Sequence, residues 1–200
     1  LMYAAPMAGV IAMFANTRLV ESEINDLIAD VTPVLVLRTP ELDALLPSGA
    51  LRRQFLSPER SSGPVETDTA WIIHTSGTTG RPKGAMLTHR SLMAGVMATA
   101  LARPVTPDDT YLFPFPLFHV ASYGVVHLHF RGRPVVLVPK FDAVPVMAAI
   151  EQHRVTTISL APTMIAMLLD HPRRADFDLT SLRNIFYGAS AIPLDVLRRG

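Results

Sequence analysis

"AWIIHTSGTTGRPKGAMLTH", residues 70–89, starts as an apolar run that suits a strand and then breaks into glycine, threonine, serine, proline and lysine. Lys83 is one of only two lysines in the chain, the other being Lys140. A turn of this composition after a strand can aim backbone N–H groups and hydroxyls at a single anion, because glycine tolerates the positive φ that such a cradle requires. Ser76, Thr78 and Thr79 add side-chain donors, and Lys83 adds a mobile positive charge suited to phosphate oxygens. Two familiar phosphate loops do not fit. The Walker pattern counted from Gly77 needs glycine where Pro82 stands and Ser or Thr where Gly84 stands. The dinucleotide pattern G-x-G-x-x-G is broken by Thr78 and Thr79 between the first two glycines. A stretch of Gly, Thr and Pro is most often a plain turn; the ordered combination of serine, threonines and lysine argues for an anion site.

Upstream of this loop, apolar periodicity predicts a helix over 3–15 and a second one with Ser22 as its N-cap, Glu23 and Asp26 in its first turn and its end near Asp30. "PVLVL" (33–37) reads as a strand, and residues 47–68, rich in Pro, Ser, Gly and charge, read as a surface connection. Downstream come a Met-rich helix from Ser91 to Arg103, expected in the core, and a strand at "PVVLVP" (134–139). Next are a helix capped by Asp142 and running to His153, a strand at "TTISL" (156–160) and a proline-bounded helix at "PTMIAMLLDHP". "LRNIFYGAS" supplies a last strand and turn before a helix begins in "IPLDVLRRG". Strands alternating with helices predict an α/β fold of mostly parallel sheets flanked by helices. At 200 residues the chain can bury a sizeable core, and one compact unit is favoured over two small ones.

Composition narrows the function classes. The net charge is +1 and the arginines form no basic block, which argues against a nucleic-acid partner. With no cysteine, disulfides, thiolate catalysis and cysteine-bound zinc are excluded, and a cytoplasmic setting is compatible. Two stretches without charged side chains approach the length of a membrane span. Residues 1–17 contain Pro6 and Asn16 and are at the short end of the ~17–25 residues a span needs. Residues 110–130 hold two prolines and three histidines that lipid would not solvate. Both fit a buried α/β core better.

"TSGTTGRPKG" (75–84) resembles, at every defined position, the phosphate-loop signature of the adenylate-forming superfamily: acyl-CoA synthetases, peptide-synthetase adenylation domains and luciferases. "FPLFHVASYG" (115–124) is similar to that family's aromatic/histidine motif beside the acyl pocket, and "FYGASAIP" (186–193) to its adenine-side turn. The resemblance covers essentially the whole chain, as part of a large N-terminal domain, and the wording of "PLFHV" and "DLTSLRNIFYGASAIP" is closest to fatty-acid–CoA ligases. It implies a two-step reaction: ATP and a carboxylate give an acyl-adenylate and pyrophosphate, then coenzyme A displaces AMP, with Mg2+ assisting. It also implies roles. Ser76, Thr78, Thr79 and Lys83 would hold the outer phosphates, and Thr75, Gly77, Gly80 and Gly84 would shape the turn. His119, with Phe118 and Tyr123 nearby, would gate the acyl pocket, and Gly188, Ala189 and Ser190 would lie against adenine. A small-molecule carboxylic acid, foremost a fatty acid, ATP and coenzyme A are the implied partners; a peripheral membrane location and a homodimer stay open.

Plainer readings stand beside these. An isolated His119 would be a core histidine bonded to backbone, "YGAS" a strand-ending turn, and Tyr187 partly buried under either view. His127 and His129, two residues apart in a stretch that reads as helical, do not share a face and lack an acidic companion, so they are not metal ligands. The family's later metal-ordering motif, its ribose-binding aspartate and its mobile adenylation lysine find no match in these residues, and neither Lys83 nor Lys140 is placed to be that lysine. The chain is therefore expected to be a fragment that is inactive by itself. Three alternatives remain: a peptide-synthetase adenylation domain, disfavoured because no aspartate lies between Phe113 and Phe130; an aryl-CoA ligase or luciferase-like oxidase; and a non-catalytic nucleotide-binding relic.

Overall fold

A computed structural model describes residues 2–34, 36–37, 63–75, 82–188 and 190–199. They fall into two compact units, residues 1–90 and 91–200, where length alone favours one. The division has a physical basis, since each unit builds its own sheet and buries its own apolar set.

The first unit holds α1 (Ala4–Met7), β1 (Ala12–Met13), α2 (Glu21–Val31), β2 (Thr69–Thr75) and β3 (Lys83–Thr88). The long helix expected over 3–15 is broken after one turn by Gly9, whose φ of 73° no helix admits, and the chain leaves it as β1. The N-cap of α2 is Val20 rather than Ser22. Its N–H donates to the Glu23 carboxylate at 3.0 Å, and Glu21 and Glu23, not Asp26, fill the first turn. Thr32, with φ 41°, closes that helix. The described part of "PVLVL" forms no strand, and residues 47–62 lie outside the described residues. The sheet order is β1-β2-β3, parallel between β1 and β2 and antiparallel between β2 and β3. Trp71, only 1% exposed, anchors the unit: Phe14 meets its ring edge-on at 5.6 Å and its indole N–H donates to the Met2 carbonyl.

The second unit follows with α3, which begins at the division (His89–Ala102), then β4 (Tyr111–Phe113), a 3₁₀ turn at Val120–Ser122, α4 (Tyr123–Phe130), β5 (Val135–Leu137) and α5 (Ala143–His153). β6 (Thr157–Leu160), α6 (Pro162–Leu169), β7 (Asn184–Tyr187) and α7 (Leu194–Arg199) complete it. The sheet order β5-β4-β6-β7 is parallel throughout. Its central strands are buried on both faces, so Tyr111, Leu112 and Phe113 are all inaccessible and read as a continuous apolar run. Leu112, Val146, Met147, Ile150, Val155 and Ile158 are fully excluded from solvent, each contributing about 1.5–3 kcal/mol relative to exposure. Asp142 caps α5 as expected, its Oδ1 accepting from the Val144 N–H at 3.2 Å, and Arg154 ends the helix at φ 49°. Pro162 opens α6 where its missing N–H costs nothing. The Met-rich α3 is less buried than its composition suggests: Val96 is fully inside, while Met97 and Leu101 are exposed. Tyr187 is likewise exposed.

Among the described residues, no helix is long and apolar enough to cross a membrane.

Candidate functional site

In the first unit β2 and β3 carry the two ends of the glycine loop. Thr75 and Lys83 are register partners, and the Thr75 hydroxyl donates to the Lys83 carbonyl at 3.4 Å. Ser76, Gly77, Thr78, Thr79 and Gly80 lie outside the described residues. The hairpin therefore brings the loop's only lysine to its mouth, exposed and unpaired with any carboxylate of the described residues. Gly84 is a strand residue rather than a turn residue. A Cβ there would sit 2.9 Å from Ile72 Cγ2 and 3.3 Å from His74 Nε2, so glycine is required by close packing across the hairpin. His74 itself, with a side chain 10% exposed, points Nε2 toward the Asp30 carboxylate on α2 at 3.6 Å. No spacing in the sequence signals that meeting.

In the second unit an open cleft of ≈ 220 Å³ lies at the C-terminal ends of β4, β6 and β7. Open parallel sheets bind ligands at this end, where loops diverge from the strands. His119, Tyr123 and Gly188 line it together; Phe118 and the exposed Ser190 do not. Ala189 lies outside the described residues. The His119 ring stacks on Phe115 with centroids 6.2 Å apart. Its Nδ1 accepts the Ala121 N–H at 3.1 Å, so the neutral ring carries its proton on Nε2 and can donate from there. That suits a polar gate.

Residues that no motif marked complete the wall. Tyr111 donates its hydroxyl to Ser159 Oγ at 2.8 Å, and burial pushes its phenol up to about 12, keeping it neutral. The Arg103 guanidinium lies 4.5 Å from the Phe186 ring centroid. Gly124 faces the Tyr111 hydroxyl, which a Cβ would approach to 3.2 Å. Behind the cleft, His127 is 2% exposed, while His129 is exposed. Burial, reinforced by the charges of Arg103 and Arg131, lowers the His127 pKa. The Val96 backbone lies alongside its ring, out of good hydrogen-bond geometry. A void of ≈ 10 Å³ beside it, edged by Arg103, Asp109 and Thr157, matches roughly one water.

The opposite, N-terminal end of the same sheet is closed by Asp109. This carboxylate accepts from the Thr106 N–H at 2.6 Å, the Thr156 hydroxyl at 2.7 Å and Arg183 at 3.0 Å. Burial pushes its pKa up, but these hydrogen bonds outweigh burial and hold it below the ordinary value.

The family of AMP-binding enzymes matches residues 1–199. This chain belongs to that family. Among its curated relatives, a feruloyl-CoA synthase from Amycolatopsis sp is 35% identical over 210 residues, covering 99% of this chain and 43% of the relative. The long-chain-fatty-acid–CoA ligase FadD13 of Mycobacterium tuberculosis is 28% identical over 214 residues, covering 96% and 42%. This AMP-binding chain thus spans less than half the length of those relatives. The inhibitor-bound N-terminal domain of FACL13 from Mycobacterium tuberculosis superposes with a TM-score of 0.83 at 27% identity, covering 100% of this chain and 55% of that one. The o-succinylbenzoate coenzyme A synthetase MenE from Bacillus subtilis, in complex with ATP and magnesium ion, gives 0.79 at 27% identity, covering 99% and 43%. Among the described residues there is no group of three or more His, Asp or Glu; a nucleotide-bound Mg2+ is ordinarily held by phosphate oxygens with one or two carboxylates rather than by such a cluster.

Proposed function

We propose that the protein carrying this chain is an ATP-dependent acid–CoA ligase and that these residues are part of its large N-terminal domain. In the first step a carboxylate oxygen of the acid attacks the α-phosphorus of ATP, the bond to the β-phosphate breaks, and pyrophosphate leaves. In the second, the thiol of coenzyme A attacks the acyl carbonyl, AMP departs and a thioester remains. The observation that carries this reading is the loop 75–84 in a chain of the AMP-binding family, with Lys83 facing Thr75 across the hairpin at its mouth. Negative charge develops on the departing pyrophosphate, and loop amides, hydroxyls and the Lys83 ammonium stabilise it there. The cleft of the second unit holds the acid, with His119 Nε2–H donating a hydrogen bond.

A long alkyl chain calls for an apolar tunnel. This cleft sets a guanidinium, a phenol and a serine hydroxyl among its aromatic rings, which suits a compact acid with polar substituents. The fatty-acid reading stands second, supported by the "PLFHV" wording and by the FadD13 relative.

Acid-dependent ATP–pyrophosphate exchange, measured on the full product of the gene with a panel of aryl, dicarboxylic and alkyl acids, tests the proposal. Exchange is expected with at least one acid, and Lys83→Ala should lower it about 100-fold. Absence of exchange with every acid, or full exchange in the Lys83 variant, overturns it.

A further inference from the structure

Arg103 is a charge in the wrong surroundings for a plain surface residue. It stands just past the end of α3, half-buried, on the wall of a cleft built mostly from aromatic rings, His119 among them, with Leu160 and small residues. Its guanidinium carbon lies 4.5 Å over the Phe186 ring, which holds the side chain flat and leaves its N–H edges free. No carboxylate of the described residues pairs with it. Asp109 is the nearest candidate in kind, sharing the small void behind the cleft with Arg103, but its oxygens already accept from Thr106, Thr156 and Arg183. The other ionisable neighbours do not compensate the charge: Tyr111 is held neutral and His127 is biased toward its neutral form. A half-buried guanidinium with a stacking partner but no counter-ion loses hydration without gaining a charge-assisted bond. Its planar fork of donors fits an oxyanion taken in bidentate fashion, and in a cleft that faces the acid substrate that oxyanion is a carboxylate.

We propose that Arg103 selects the acid substrate by binding a second carboxylate on it, distal to the one that is adenylated. The preferred substrates are then dicarboxylic acids with a flat or compact body that lies against Phe186 and Phe115, and the Tyr111–Ser159 hydroxyl pair offers a further polar contact on the same wall. This rests on the acid–CoA ligase reading above and adds the substrate's second charge to it.

The experiment is ATP–pyrophosphate exchange by the full gene product without coenzyme A, so that an effect on the phosphates of that molecule cannot register. Matched pairs are compared: 3-phenylpropanoate against 3-(carboxyphenyl)propanoate, and octanoate against octanedioate. kcat/KM should favour a dicarboxylate over its partner by about 100-fold, because a buried donor left unpaired penalises the ligand that lacks the group. Arg103→Gln should collapse that preference, bringing the ratio of kcat/KM between the two members of a pair close to one, and Arg103→Lys should restore part of it. Equal loss for both members of a pair, or a preference unchanged in the glutamine variant, overturns the assignment. Exchange with monocarboxylates alone also overturns it, yet leaves the ligase reading intact. Exchange with no acid at all removes the ligase reading and the assignment with it.

Discussion

The two ends of the β5-β4-β6-β7 sheet handle buried polarity in opposite ways. At the N-terminal end, the Asp109 carboxylate meets a backbone amide, a threonine hydroxyl and an arginine within 3.0 Å. At the C-terminal end, Arg103 has no acidic partner among the described residues, His119 keeps an Nε2 donor free, and loops leave the strands to form a cleft. The satisfied end ties strands together; the unsatisfied end is available for a ligand. Hydrogen-bond completeness therefore separates the stabilising end of the molecule from the functional one more clearly than hydrophobicity does.

The sharpest way to break this contrast is Asp109→Ala. Leaving Arg183 and two threonines without their shared acceptor should cost about 3 kcal/mol in a urea unfolding curve. Substrate selectivity should not change. A loss below about 1 kcal/mol would mean the network is solvated rather than structural. pH probes the same point. The pKa of Asp109 is depressed below its ordinary 3.8 in the folded protein, so its stabilising contribution is complete above that value and is lost as pH falls through the lower, folded one. Unfolding curves recorded below pH 3.8 should show that decline in the wild type and not in the alanine variant.

Smaller effects sharpen the other end. Gly124→Ala pushes a Cβ to 3.2 Å from the Tyr111 hydroxyl and should cost about 1 kcal/mol, with a change in which acids are accepted. Tyr111→Phe removes the bond to Ser159 and should cost about 1 kcal/mol or slightly less, read as a shift in thermal midpoint. Last, His119→Ala alters an exposed residue and should move stability by less than about 0.5 kcal/mol while weakening acid-dependent exchange; a large stability loss would make it a packing residue after all.

Much of this was legible in the chain itself. The alternation of β-branched runs with capped helices announced the second unit's α/β layers, because both signals are local: Asp142 at an N-cap and Pro162 at a first turn act within a few residues. The long helix over 3–15 and the strand at "PVLVL" failed for the complementary reason. Gly9 interrupts a pattern that periodicity alone continues, and the described residues of the apolar run join neither sheet. The same holds for Gly84, which composition reads as a turn residue and which the hairpin uses for close contact.

What the sequence alone determined is the family, since a loop of ten consecutive residues carries the glycines, hydroxyls and lysine of its signature in one local order that no folding event has to assemble. What only the tertiary structure decided is the character of the cleft. Arg103, Tyr111, His119, Ser159 and Phe186 are far apart in the chain, and it is the parallel stacking of β4, β6 and β7 that brings them to one wall, with no carboxylate among the described residues paired to the guanidinium.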